Sequence, residues 1–126
     1  MNTQHDEAWW IDCDPGVDDV MALILAHAYK RNIVGISCSV GNTTAVKCAH
    51  NAVKTCRFLR TRYPVYIASQ SPLTTNEFDV SDDFFGEDAL GDSIHVRHVR
   101  GWLDLISRKN GHFAMIEAAK EAKEKG

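Results

Sequence analysis

Residues 8–23 read AWWIDCDPGVDDVMAL, and the order of residue types in this stretch decides the fold. Ala8–Cys13 is a short apolar run that reaches a carboxylate near its end, the pattern of a buried strand. Asp14, Pro15 and Gly16 then make a turn, because Pro presets φ and Gly supplies freedom. From Asp18 onward Val20, Leu23, Ile24 and Leu25 fall at helical spacing, which predicts a helix over 18–29. Asp18 and Asp19 lie in its first turn, where negative charge suits the exposed N–H groups and the helix dipole.

The same alternation continues outward. Residues 33–40 (IVGISCSV) are rich in β-branched side chains and predict a second strand, broken by Gly41 and Asn42. Thr43 or Thr44 can cap a long helix to about Arg62. Its apolar positions are Val46, Ala49, Val53, Cys56 and Leu59, spaced by three and four. Lys47, Lys54, Arg57 and Arg60 mark the opposite face. Pro64 ends the helix, and 65–68 predict a third short strand. Strand, helix, strand, helix, strand with connections of this length forces parallel pairing with right-handed crossovers. This is half of a doubly wound α/β sheet. Beyond Ser69 the pattern lapses into a polar loop to about Asp92. Residues 103–106 predict a short helical piece and 111–124 a last helix.

Composition bounds the rest. The chain has 126 residues, 44% apolar and 25% charged, with a formal charge of −3. That size suits one domain. The charge balance argues against a nucleic-acid surface, which carries a basic stripe. No apolar run is long enough to span a bilayer. The N-terminus is polar, without the basic and apolar segments of a signal peptide. Cys13, Cys38, Cys48 and Cys56 form no CxxC pair and read as small buried side chains in a reducing compartment. A cytosolic protein is expected.

Asp12, Asp14, Asp18 and Asp19 gather at the carboxyl end of the first strand, the edge where open α/β sheets bind ligands. Four carboxylates there repel one another unless a cation neutralises them. Calcium takes oxygen ligands in irregular geometry and suits such a turn. Asn42, at the end of the second strand, is expected to face this cluster. An EF-hand is excluded, because Gly16 and Leu23 stand at its fifth and twelfth positions. A haloacid-dehalogenase-type phosphotransferase has a DxDx[TV] strand end. Asp12 and Asp14 fit that pattern, and Gly16 does not.

Residues 11–23, IDCDPGVDDVMAL, resemble the DxDPGxDD signature of the inosine-uridine-preferring nucleoside hydrolases. The turn VGN at 40–42, with Asn51 and Ala52 further on, is similar to the family's GN turn and following helix. PVYIASQSPL at 64–73 resembles its third strand and PL turn, and FGEDALGD at 85–92 its active-site loop. The resemblance implies cleavage of the N-glycosidic bond of a ribonucleoside to ribose and free base. It assigns calcium to Asp12 and Asp19, the general base to Asp14, and ribose contacts to Asp18 and Asn42. Phe85 stands where several members have a His, and an aromatic there can stack on the base. His95 and His98 read as surface groups. Ala68 and Ala89 replace family glycines, mild changes unless the backbone needs positive φ.

Residues 93–110 depart from the family, and members are more than twice this length. The chain is therefore expected to be the N-terminal portion of a nucleoside hydrolase domain over 1–126, ending after the third strand, with part of the metal shell outside it. It is expected to be inactive alone and marginally stable or self-associating, the longer form being a homo-oligomer. A non-catalytic truncated paralogue, acting as a binding module, is the main alternative.

Overall fold

The computed structural model describes residues 7–75, 84–92 and 99–125. Strand β1 spans Ala8–Cys13, helix α1 Val17–Ala28, strand β2 Asn32–Cys38, helix α2 Ala45–Phe58 and strand β3 Val65–Ile67. A 3-10 turn over Trp102–Leu105 leads into strand β4, Ile106–Ser107, and helix α3 covers Gly111–Lys125. The strands form one parallel sheet in the order β1-β2-β3-β4. This is the α/β, parallel-sheet architecture the alternation of elements predicts.

Three expectations need correction. The sheet does not stop at three strands, because Val65 pairs with Ile106 and Tyr66 with Ser107. Two residues cannot display a period-2 pattern, so only the pairing itself reveals β4. The second helix closes at Phe58 because the chain reverses there. Arg60 takes φ 55, with its amide on the Arg57 carbonyl and the Thr61 amide on the Cys56 carbonyl. The buried face of α2 is also rotated from the predicted stripe. Val46 is exposed, whereas Ala45, Cys48, Ala49 and Ala52 are buried. These small side chains let the helix lie close on the sheet.

Packing follows strand alternation. Ile36, Cys38 and Val65 form the core with Leu23, Ala49, Ala52, Val53 and Cys56. In β1 and β2 the pairing shifts between Trp9 and Trp10. Gly35 allows this: a Cβ there would sit 2.3 Å from the Trp10 ring, which instead stacks on Tyr66 at 5.3 Å. Gly111, at the start of α3, approaches Ser37 and Ala68, where a Cβ would meet both side chains at 3.0 Å. Thr44 caps α2 by accepting the Lys47 amide at 3.3 Å. Within the described sheet β1 is an edge strand, and Met21 and Leu25 of α1 are exposed. No helix among the described residues is long and apolar enough to cross a membrane.

Candidate active site

The carboxyl ends of β1 and β2 lie side by side, with Asp12 opposite Ser37 and Cys13 opposite Cys38. The chain leaves β1 through Asp14-Pro15-Gly16, and this turn is tied to both neighbours. The Asn42 amide donates to Asp14 Oδ2 at 2.8 Å, and its side-chain Nδ2 to the Asp14 carbonyl at 2.9 Å. The Asp14 amide donates to Asp19 Oδ2 at 3.0 Å. Gly41 makes the contact of Asn42 with the Asp14 carboxylate possible, because a Cβ there would lie 2.0 Å from Asp14 Oδ2. Gly16 is needed for the same reason against Asn42 Nδ2, at 2.7 Å.

The other predicted residues fall into place around this core. Asp12 accepts from the Ser37 hydroxyl, which in turn accepts from Trp10 Nε1 at 2.9 Å. The side chain of Asp18 is exposed in the first turn of α1. Burial pushes the Asp19 carboxyl above its ordinary range, and the charges of Asp14 and Asp18 add to this. The Asp14 amide acts the other way. The turn thus concentrates more negative charge than its own donors relieve.

A second segment closes over the turn. Asn51 of α2 donates through Nδ2 to the Pro15 carbonyl at 2.9 Å and the Asp88 carbonyl at 2.7 Å. Residues 84–92 are further held by Lys47 Nζ on the Glu87 carbonyl at 3.0 Å. Inside the loop Asp92 accepts the amides of Glu87 and Asp88, which hold its carboxyl below the ordinary range. Ala89 is fully buried at φ 60, so the exchange for a family glycine is a strained one. Ala68 is not among the positive-φ residues, and its exchange is mild. Phe85 is half-buried and meets exposed Phe84 edge-on at 4.6 Å. His95 and His98 lie outside the described residues.

Sequence reasoning missed the Trp10–Ser37–Asp12 chain. A serine interrupting an apolar strand, on the face that alternation gives to Trp10 and Asp12, was its available signal. Asn51 is named by resemblance only, yet it is buried at the junction of turn, helix and loop.

The family model described as inosine-uridine preferring nucleoside hydrolase matches residues 9–125. The chain belongs to the nucleoside hydrolase family. A pyrimidine-specific ribonucleoside hydrolase of Photobacterium profundum is 42% identical over 82 residues, 64% of this chain and 26% of its own length. One from Escherichia coli is 33% identical over 116 residues, 84% of this chain and 37% of its own. The fold is that of solved relatives. An inosine-guanosine nucleoside hydrolase superposes with a TM-score of 0.81 at 22% identity, over 90% of this chain and 35% of its own. A purine-preferring ribonucleoside hydrolase from Gardnerella vaginalis gives 0.79 at 21%, over 90% of this chain and 36% of its own. This chain therefore spans between about a quarter and somewhat over a third of the relatives it matches.

The carboxylate oxygens of the turn are the donors a hard divalent cation takes. Among the described residues, however, no group of three or more metal-binding side chains converges. Oxygen donors of this kind are those calcium takes, and the described residues do not by themselves assemble a metal-binding group.

Proposed function

We propose that this nucleoside hydrolase chain supplies the carboxylate part of a calcium-dependent site that cleaves ribonucleosides to ribose and free base. The observation that carries the reading is Asp14, held between Asn42 and Asp19 at the carboxyl ends of β1 and β2. Asp12 and Asp19 would hold the calcium. When bound, it would acidify a water and orient it toward the sugar. Asp14 takes the proton: the Asn42 amide fixes one carboxylate oxygen and so aims the other. Asp18, exposed at the rim, and Asn42 receive the ribose hydroxyls. The bond from sugar carbon to base nitrogen breaks through an oxocarbenium-like state, whose positive charge the surrounding carboxylates stabilise. Phe85 offers a ring for the base. The family match sets aside the phosphotransferase alternative.

We further propose that the 126 residues alone do not turn over, because they bring together only part of a calcium shell. A second reading, a module that binds calcium or ribose without catalysis, draws on the same observation. Four free, buried thiols support a cytosolic, reducing location, and a homo-oligomeric longer form, measurable by light scattering, belongs to the reading. Ribose release from inosine and uridine, with and without calcium, tests it on this chain and on any longer form. Release by the longer form that is abolished in Asp14→Asn, with the short chain silent, is expected. A folded longer form that binds calcium and releases no ribose would establish the binding module instead.

A further inference from the structure

At the opposite edge of the sheet the charge is reversed. A cavity of about 430 Å³ lies where α2 ends and β3 begins, within the roughly 300–1,000 Å³ of small-molecule sites. Arg57, Arg60 and Arg62 line it, with Thr61 and Tyr63, over an apolar floor that includes Val53, Val65 and Leu105. No Asp or Glu is among the lining residues. None of the three guanidinium groups takes part in the Lys47–Glu87 or the Lys109–Glu117 ion pair. In a chain whose net charge is −3, this is a local surplus of positive charge around a concave surface.

The helix end does not account for that surplus. The carbonyl end of α2 carries roughly half a negative charge, which a single guanidinium offsets. Arg60 is also held in the left-handed region at φ 55, where glycine is the usual occupant, so the chain keeps a long cationic side chain at a conformational cost. Tyr63 is fixed by a 2.7 Å hydrogen bond with His27 Nδ1, which presents its ring at the cavity wall.

We propose that this cavity binds a small organic phosphate, its phosphoryl group held by the arginine forks and its apolar or aromatic body on the floor beside Tyr63. Guanidinium groups match phosphate oxygens in paired hydrogen bonds. The carboxylate end of the sheet repels the same group. The two ends of α2, separated by roughly 20 Å of helix, thus differ in charge, with carboxylates near one and guanidinium groups at the other. The inference stands on the cavity alone and does not depend on the hydrolase chemistry.

The test is titration of the chain with adenosine monophosphate, adenosine and inorganic phosphate at low ionic strength, followed by amide NMR shifts. Adenosine monophosphate is expected to bind saturably and to shift amides of residues 57–65. Inorganic phosphate is expected to compete more weakly, and adenosine not at all. Arg57→Ala with Arg62→Ala should weaken binding roughly tenfold or more. The Arg57→Lys, Arg62→Lys pair, which keeps the charge and loses the fork, should fall between. Asp14→Asn should leave the affinity unchanged. Equal affinity in the double alanine variant, shifts of residues 57–65 by adenosine equal to those by the nucleotide, or inorganic phosphate binding there as tightly as the nucleotide would each overturn the assignment.

Discussion

Asp14 is held by groups from two other segments, and each contact fixes what its neighbours can be. The Gly41 position has no room for a side chain, since a Cβ would overlap the Asp14 carboxylate. Gly41→Ala is therefore expected to cost about 1–3 kcal/mol in urea unfolding and to displace Asp14. Ala89 poses the converse problem. Its left-handed backbone costs roughly 1–2 kcal/mol, while Ala89→Gly would lose a buried methyl and add unfolded-state entropy of similar size. The glycine variant should thus stay within about 1 kcal/mol of the parent. Ala89→Val, β-branched at positive φ in a fully buried position, should lose at least about 2–3 kcal/mol. A thermal melt of the pair separates the two effects, and a tolerated valine would contradict this account of the loop.

Among the elements, loop 84–92 depends most on electrostatics. The amides of Asp88 and Glu87 hold the Asp92 carboxyl below its ordinary value of 3.8. A depressed carboxyl favours the folded loop above that value and loses the contribution as pH falls through the lowered one. The amide signals of Glu87 and Asp88 are therefore expected to lose their native shifts with a midpoint below the ordinary 3.8. In Asp92→Asn the loop should lose this pH dependence. Unchanged titration in the variant would show that Asp92 does not organise the loop. Asn51 couples the loop to the turn before α1, so loosening at this end is transmitted to Pro15, next to Asp14.

At the scale of the molecule, the core beneath both ends of the sheet contains four free thiols. Burial pushes Cys48 up to about 12 and Cys56 up to about 11. Neither is a thiolate at neutral pH. Reaction with a disulfide reagent is expected to be slower than in denaturant by roughly a hundredfold or more, as an opening free energy of about 3 kcal/mol would set. Fast labelling of the native chain would mean that the sheet opens readily along its exposed β1 edge. The sequence by itself determined the alternation of strands and helices, because apolar spacing and turn residues act over a few neighbours. For the same reason it placed Asp12, Asp14, Asp18, Asp19 and Asn42 at strand and helix ends. It could not show the two-residue β4, the Trp10–Ser37–Asp12 chain, the reach of Asn51 across to the loop, or the gathering of three arginines around one cavity. Each of these joins residues distant along the chain or hangs on one backbone angle. Only close packing of the whole sheet and its helices brings such groups within a few ångströms.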